Sequence, residues 1–184
     1  MKLIFYFICY LLNSYYLFGF DEADIKRLSE TKECINCDLS KADLSKLDLS
    51  NTDLTGANLS FSNLSGSNLS NANLSFAILI KSTIYIANLD KANLEGANLT
   101  EARLNGSSLK NTNMIDATLI STTLSKSNSP DIILDGANLK YTKFRGANLK
   151  NAKFSGSTLS FTDFSGADLT GADMVALDLT NSVL

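Results

Sequence analysis

Residues 57–76 read ANLSF-SNLSG-SNLSN-ANLSF, which is one pentapeptide written four times. Each unit has Leu at its centre, an amide before the Leu and a small residue two positions before it. The unit runs from Cys37 to Leu184 without insertion or deletion, and 29 of the 30 centres from Leu39 onward are Leu, Ile, Met or Phe. The exception is Ser129. The repeat therefore governs about four-fifths of the chain.

A strict period of five fits neither an α-helix, which needs apolar residues every 3.6 positions, nor a strand, which needs them every second position. It does fit a solenoid, in which short units stack on copies of themselves because one unit cannot bury its own apolar residue. Each unit then points its centre and its small residue inward, and its other three positions face solvent.

The motif A-(D/N)-L-x-x recurs along the repeat, as in Ala57-Asn58-Leu59, Ala92-Asn93-Leu94, Ala97-Asn98-Leu99, Ala137-Asn138-Leu139, Ala147-Asn148-Leu149 and Ala167-Asp168-Leu169. This motif resembles the pentapeptide repeat family. The resemblance implies an all-β fold, a right-handed quadrilateral β-helix over residues 37–184 with four units per coil. Residues twenty apart then stack, and seven to eight coils at a strand spacing of ~4.8 Å make a rod roughly 35 Å long.

Stacking at an interval of twenty predicts several side-chain columns. Asn68 with Asn88, and Asn128 with Asn148, should bond amide to amide. Exposed Lys81 and Glu101 should form an ion pair. An inner column of small residues is predicted to form a hydroxyl ladder, at Thr122, Thr142 and Thr162.

Residues 1–20 differ from the rest of the chain. Lys2 is followed by ten apolar residues, 3–12, and the apolar character continues almost to Phe20. A positive start and a short apolar run are typical of a secretory signal peptide, and an uncleaved membrane anchor is the alternative. Both interpretations predict that the repeat is exported to the periplasm or the extracellular space, or is held at a membrane by residues 1–20.

Residues 21–36 are predicted to contain a short helix that caps the solenoid. Asp21 or Asp24 can serve as its N-cap, and Ile25 and Leu28 lie on one side. An open end of a solenoid exposes apolar centres and unpaired backbone groups. We therefore expect this helix to cover the coil that Leu39 begins.

Cys34 and Cys37 join the cap to the repeat, and Cys37 falls at a small inner position. Three interpretations stay open: apolar packing alone, a local disulfide in an oxidising compartment, and redox catalysis or half of a metal site. The sequence Cys-x-x-Cys-Asp-Leu at 34–39 also resembles the opening of other pentapeptide repeat proteins. With no His and no second Cys pair in the chain, neither a metal nor a cofactor is expected.

The unit Ser127–Asp131 is the one break in the pattern. Ser129 replaces a Leu whose burial is worth on the order of 2–3 kcal/mol, and Pro130 removes a backbone donor. These two residues predict a bulged or kinked corner, with Ile132 and Ile133 filling the space.

One outer column contains three aromatic residues, Phe61, Tyr141 and Phe161, of which the last two should be neighbours. Aromatic side chains on the outside of a polar rod suggest a surface for contact with a partner, and stacking for stability alone is the alternative. The basic residues of 140–153 wrap around a full coil and point in several directions, so they do not predict a nucleic-acid surface.

The last coil ends on a centre, and apolar side chains surround it. This pattern predicts end-to-end self-association, and hence a homodimer, through Val175, Leu177, Leu179, Val183 and Leu184.

An enzyme is the least supported class, because the chain has no His, no nucleophile beside a base and no Gly-rich phosphate loop. The favoured function is a non-enzymatic, exported structural or protein-interaction solenoid. Its expected partner is a protein. A net charge of −3 does not favour binding to nucleic acid. The alternative that the family resemblance implies is a DNA-mimicking inhibitor or protector of a type II topoisomerase, gyrase.

Overall fold

The computed structural model describes residues 20–175 and 177–184. The repeat winds into a right-handed quadrilateral β-helix in which every pairing is parallel and joins residues on neighbouring coils. Asp38 pairs with Asn58 and Asn58 with Ile78, an interval of twenty that continues along the rod. Four pentapeptides therefore make one coil, as predicted. We number the coils from residue 37, so that coil 1 is 37–56 and coil 7 is 157–176.

Each unit forms one side of the coil and one corner. At the first corner the carbonyl of Leu39 accepts the N–H of Ala42 at 3.2 Å, and Lys41 has a φ of 60°. This is the geometry of a type II turn, which requires a positive φ at its third residue. Because a turn follows every three residues, each side contributes a single bridging residue, and the described residues contain no longer strand.

The interior is a continuous apolar column filled by the centres and the small residues, nearly all of them fully buried. Toward the C-terminal coils Phe144 and Phe164 stack with ring centroids 5.3 Å apart, and Phe154 meets both edge-on. The predicted hydroxyl ladder does not form. Instead, each Thr hydroxyl donates to a carbonyl of the preceding coil, as Thr122 does to Leu99 at 2.7 Å.

Amide ladders run along the outside and confirm the predicted pairs. Asn88 donates to Asn68 at 3.2 Å and Asn148 to Asn128 at 3.0 Å. In coil 1 the same positions carry aspartates, which accept from the amides of coil 2. A carboxylate suits the start of such a ladder because it only accepts hydrogen bonds.

Helix α1 (Glu22–Thr31) lies over the first coil, as predicted. Its N-cap Asp21 accepts from the N–H of Ala23 at 2.8 Å, and the Asp24 carboxylate accepts the N–H of Asp38 at 2.8 Å. Ile25 and Leu28 are buried in the core of the rod. The helix thus covers apolar centres and pairs a backbone donor that an open coil would leave exposed.

The repeat extends one unit further toward the N-terminus than residue 37. Glu33 pairs with Asp53, and Cys34 occupies a centre and is fully buried. Cys takes this place because it behaves as a small apolar residue, and the helix side chains fill the space above it.

The predicted bulge at Ser129 and Pro130 is wrong. Ser129 donates its N–H to Asn148 at 2.9 Å and Pro130 accepts from Asn111 at 3.1 Å, so the ladder stays in register. Pro130 occupies the second position of the corner turn, which its fixed φ favours. Ile132 is fully buried at a position that holds a small residue in most other units, so a large side chain follows the small one and the core keeps its volume.

Among the described residues, none of the helices has the length and apolar character needed to cross a membrane. The predicted signal peptide or anchor falls in residues 1–20 and, apart from Phe20, lies outside the described residues.

Candidate protein-contact face

One side of the rod, with its two flanking corners, carries half of the large apolar side chains that are exposed in the described residues. We call it the contact face and define it by the units 57–61, 77–81, 97–101, 117–121, 137–141 and 157–161, together with Phe76 at the corner that precedes it. In each unit the small residue and the centre are buried, and the other three positions point outward.

The exposure of large apolar side chains differs sharply between the sides. Six of them, between residues 57 and 161, are exposed, and five belong to the contact face: Phe61, Phe76, Ile78, Tyr141 and Phe161. The sixth, Ile86, lies on another corner. Between residues 57 and 161 the exposed large apolar side chains therefore cluster on one side, whereas scattered exposure would place them on all sides.

The three aromatic residues predicted as a surface contact fall into two groups. Tyr141 and Phe161 are neighbours, as predicted, and stack with ring centroids 5.0 Å apart. The Lys140 ammonium lies 5.2 Å from the centroid of the Tyr141 ring. Phe61 stands four coils away from Tyr141 in the same column, so the structure does not bring all three together.

Phe61 and the residues at the same corner of the next two coils, Lys81 and Glu101, form the second group. Lys81 lies 6.0 Å from the Phe61 ring and 3.5 Å from a carboxylate oxygen of Glu101. The predicted ion pair is therefore present, with both side chains about half exposed. An exposed pair of this kind contributes little to stability. Its main effect is on the pattern of charge along the face.

Sequence reasoning missed Phe76 and Ile78, which are 63% and 39% exposed. The signal was available in the segment Phe76-Ala77-Ile78-Leu79-Ile80, where apolar residues occupy positions that the repeat normally fills with polar ones. Phe76 is held against Gly96, where a Cβ would lie only 2.6 Å from the Phe ring. Glycine at that corner therefore lets the ring lie along the rod.

Cys34 and Cys37 are joined as a disulfide beneath α1. The Asp24 carboxylate lies close to both sulfurs, and this trio is the group of metal-binding residue types found among the described residues. With the sulfurs bonded to each other, neither is a thiolate, which is the form of Cys that binds metal. The disulfide therefore cross-links the single turn 34–37 at the start of the repeat.

The last coil leaves the predicted self-association residues accessible. Val175, Val183 and Leu184 are exposed, the last at 70%, and Leu177 and Leu179 are partly buried against the core. Four aspartates surround this end, at positions 163, 168, 173 and 178.

These end aspartates are tied into their own turns. The Ser165 hydroxyl and N–H, together with Arg145, lower the pKa of Asp163 to about 2, although partial burial opposes the shift. The hydroxyls of Thr170 and Thr180 hold the pKa values of Asp168 and Asp178 below their ordinary range. The end of the rod therefore stays negatively charged well into the acidic range.

The basic residues of 140–153 surround the rod, as predicted. Lys140 lies on the contact face, Arg145 pairs with Asp163 on the next side, and Lys150 pairs with Asp168 at 3.3 Å on the third. Two of the five positive charges are thus matched by carboxylates, and no single side collects them.

The family model for pentapeptide repeats matches this chain in eight copies, over residues 33–71, 87–125, 112–151, 132–171 and 147–184. Comparison with curated protein sequences gave no significant match.

Comparison with solved structures gave matches to other pentapeptide repeat proteins. The structure of HetL, a pentapeptide repeat protein involved in heterocyst differentiation regulation from the cyanobacterium Nostoc sp. strain PCC 7120, matches with a TM-score of 0.62 and 23% identity, over 89% of this chain and 94% of that chain. QnrB1, a plasmid-mediated fluoroquinolone resistance protein, gives 0.40 and 23%, over 79% of each chain. A pentapeptide repeat protein of the Arabidopsis thaliana thylakoid lumen gives 0.25 and 26%, over 68% of this chain and 70% of that chain.

Proposed function

Because this chain belongs to the pentapeptide repeat family, we propose that it is a non-enzymatic, exported rod that binds a protein partner through the contact face. The observation that carries this proposal is that five of the six large apolar side chains exposed between residues 57 and 161 lie on this one face: Phe61, Phe76, Ile78, Tyr141 and Phe161. Solenoids in general use such extended regular surfaces for binding. Interfaces are also enriched in aromatic residues relative to the rest of a protein surface.

Photo-cross-linking in the native host tests the contact face. A cross-linking amino acid replaces Ile78 in one variant and Ile86 in a second, since both are exposed isoleucines of the same rod. We expect adducts from position 78 and none from position 86. Equal cross-linking at both positions, or none at position 78, contradicts a contact face.

Export is the second element of the proposal, and it is supported by the apolar segment 3–12 that follows Lys2. Fractionation of the host with N-terminal sequencing tests it. A shortened chain outside the cytoplasm supports a signal peptide, and a full-length chain extracted only by detergent supports a membrane anchor in residues 1–20. An intact Met1 in the cytosol would overturn both.

The oxidised state of Cys34 and Cys37 follows from export, because disulfides persist in oxidising compartments. Mass spectrometry after thiol labelling of protein taken directly from the host should show both cysteines protected. Labelling of both without added reductant would contradict an oxidising location.

The partner of the last coil is proposed to be a second copy of the chain, stacked end to end through Val175, Leu177, Leu179, Val183 and Leu184. Leu184→Asp should abolish this association in light scattering. The aspartates around this end repel one another across such a junction, and Asp163, Asp168 and Asp178 have lowered pKa values, so the association should strengthen only at strongly acidic pH. A mass that does not change with pH or with Leu184→Asp argues against end stacking.

A gyrase-directed role is the less favoured function. Most of the described acidic residues lie either in residues 21–53 or in residues 163–178, and the basic residues of 140–153 lie between these two groups. This pattern differs from the continuous negative charge of a DNA duplex. A supercoiling assay with gyrase tests the idea directly, and inhibition or protection at micromolar protein would replace the proposal above.

A further inference from the structure

The positions of the aromatic residues along the contact face are related by a symmetry that a partner could share. Phe61 is in coil 2, Lys81 in coil 3, Tyr141 in coil 6 and Phe161 in coil 7, and all four occupy one corner column. Coils 2 and 7 are equally distant from the boundary between coils 4 and 5, and so are coils 3 and 6. A two-fold axis at that boundary therefore relates the corner of Phe61 to that of Phe161, and the corner of Lys81 to that of Tyr141.

We propose that the contact face pairs with the contact face of a second copy of this chain, with the two rods antiparallel and the two-fold axis between coils 4 and 5. The inference names the partner of the contact face and so rests on the proposed function. A two-fold interface is self-complementary, and each contact between two different residues occurs twice.

The corner column is complementary to itself in this register. Phe61 lies opposite Phe161 of the second rod, and Lys81 lies opposite Tyr141, where its ammonium can approach a ring face. Glu101 in coil 4 lies opposite Ser121 in coil 5. No pair of like charges meets along this corner.

Neighbouring registers lose this complementarity. Moving the axis to the middle of coil 4 places Glu101 against Glu101. Moving it to the middle of coil 5 places Phe61 against Asn181 and Glu101 against Tyr141. Like charges brought together at an interface disfavour association, so the charge on Glu101 helps to select one register.

Charge repulsion at the two ends of the face opposes the pairing. In the proposed register Asp38 of coil 1 lies near Asp178 of the other rod, and this repulsion occurs at both ends. The carboxylates of Asp38 and Asp43 make the same bonds within the rod, since each accepts one backbone N–H and one Asn side chain at 3.0–3.2 Å. Only Asp38 lies on the same side of the rod as the contact face, one coil before its first unit. The pair therefore offers a matched test of charge.

Sedimentation velocity over a range of concentrations, at neutral pH, measures the dimer. We expect Asp38→Lys to tighten it and Asp43→Lys to leave it unchanged. Phe161→Lys should weaken the dimer at least about tenfold, as is typical of losing an aromatic anchor. Ile86→Lys should have no effect, because Ile86 lies on another corner.

Cross-linking tests the register. Phe61→Cys and Phe161→Cys are made in separate chains, each in a Cys9→Ser background, and the two are mixed under mild oxidation. We expect the disulfide to form between the two variants. It should not form between two copies of Phe61→Cys, because five coils at ~4.8 Å hold those positions about 24 Å apart.

A monomer at every attainable concentration overturns the inference, as does a dimer that Leu184→Asp dissolves and Phe161→Lys does not. If the wild-type chain stays monomeric and photo-cross-linking at position 78 still captures a different protein, self-pairing fails and the proposed function stands. If neither occurs, both fail.

Discussion

At the scale of single residues, the corners are the strained positions of this molecule. Most carry a positive φ, and many are not glycine: Phe61, Ile86 and Tyr141 have φ values of 61°, 54° and 63°. A left-handed conformation costs roughly 1–2 kcal/mol for a residue with a Cβ, and a branched Cβ is the least suited to it. The ladder bonds on both sides of each corner hold the backbone in place despite this cost.

Ile86 is the clearest case, since its side chain is 77% exposed and contributes little burial. We expect Ile86→Gly to stabilise the protein by roughly 0.5–1 kcal/mol, because the left-handed strain disappears. Ile120 lies one residue before Ser121, the positive-φ residue of its turn, and its own φ is not positive. Ile120→Gly should therefore destabilise the protein. Urea denaturation of both variants checks the prediction, and a loss of stability in Ile86→Gly would mean that the corner is not strained.

Asp163 links a single hydrogen bond to the pH dependence of folding. Its pKa is lowered to about 2 in the folded protein, chiefly by the Ser165 hydroxyl at 2.6 Å. A lowered folded-state pKa contributes stability above the unfolded-state value near 4, and this contribution is lost as the pH falls toward 2.

Ser165→Ala should therefore raise the pKa of Asp163 and reduce the stability above pH 4, with less effect near pH 2. NMR titration of the carboxyl group measures the first effect and acid denaturation the second. Ser125→Ala, at the same turn position but without an aspartate before it, is the control. An unchanged Asp163 titration in Ser165→Ala would show that Arg145 and the backbone N–H of residue 165 set the pKa without the hydroxyl.

At the scale of the repeat unit, Ser129 and Ile132 form a compensating exchange. Ser129→Leu alone should overpack the core and cost about 1–3 kcal/mol, and Ile132→Ala alone should leave a cavity and cost about 2–5 kcal/mol. The double variant restores the usual large-then-small order, so it should be more stable than either single variant. Thermal denaturation of the four proteins gives the coupling, and additive losses would show that the two side chains do not share space.

The same unit shows where sequence reasoning stops. A period of five was enough to predict the coil, the stacking interval and the amide columns, because these depend only on spacing. The effect of Pro130 could not be predicted, because a proline disrupts a strand but favours the second position of a turn, and the turn type was unknown. The unit of Cys34 was also missed, because Cys replaces the expected Leu and α1 supplies the missing volume.

The contact face was predicted only in part for a related reason. Its aromatic column follows from the interval of twenty, so Phe61, Tyr141 and Phe161 could be grouped from the sequence. Phe76 and Ile78 belong to other columns, and their place beside that column depends on where each side of the coil begins and ends. That information comes from the turn geometry of the corners.

At the scale of the whole molecule, length and orientation can be changed separately. Deleting 97–116 removes one complete coil, so every remaining residue keeps its side of the rod, and Phe61 and Lys81 still oppose Phe161 and Tyr141 across a two-fold axis. Deleting 97–101 removes one side, so everything after it turns by a quarter and the contact face is divided.

We expect both deletion variants to fold, since stability in a solenoid comes mainly from contacts between neighbouring repeats. The twenty-residue deletion should keep the concentration-dependent dimer, and the five-residue deletion should lose it. Circular dichroism checks the fold and sedimentation velocity the dimer. A dimer that survives the five-residue deletion would mean that the two halves of the face do not act together.

The twenty-residue interval fixes the distances between groups along the rod. Any two groups in one outer column are separated by a whole number of steps of ~4.8 Å, and intermediate separations are not accessible. Duplication or loss of a coil therefore moves one contact point relative to another by a fixed increment without altering the chemistry of either. A protein built in this way can adjust the spacing of its recognition elements by recombination alone, and point substitution remains free to change their character.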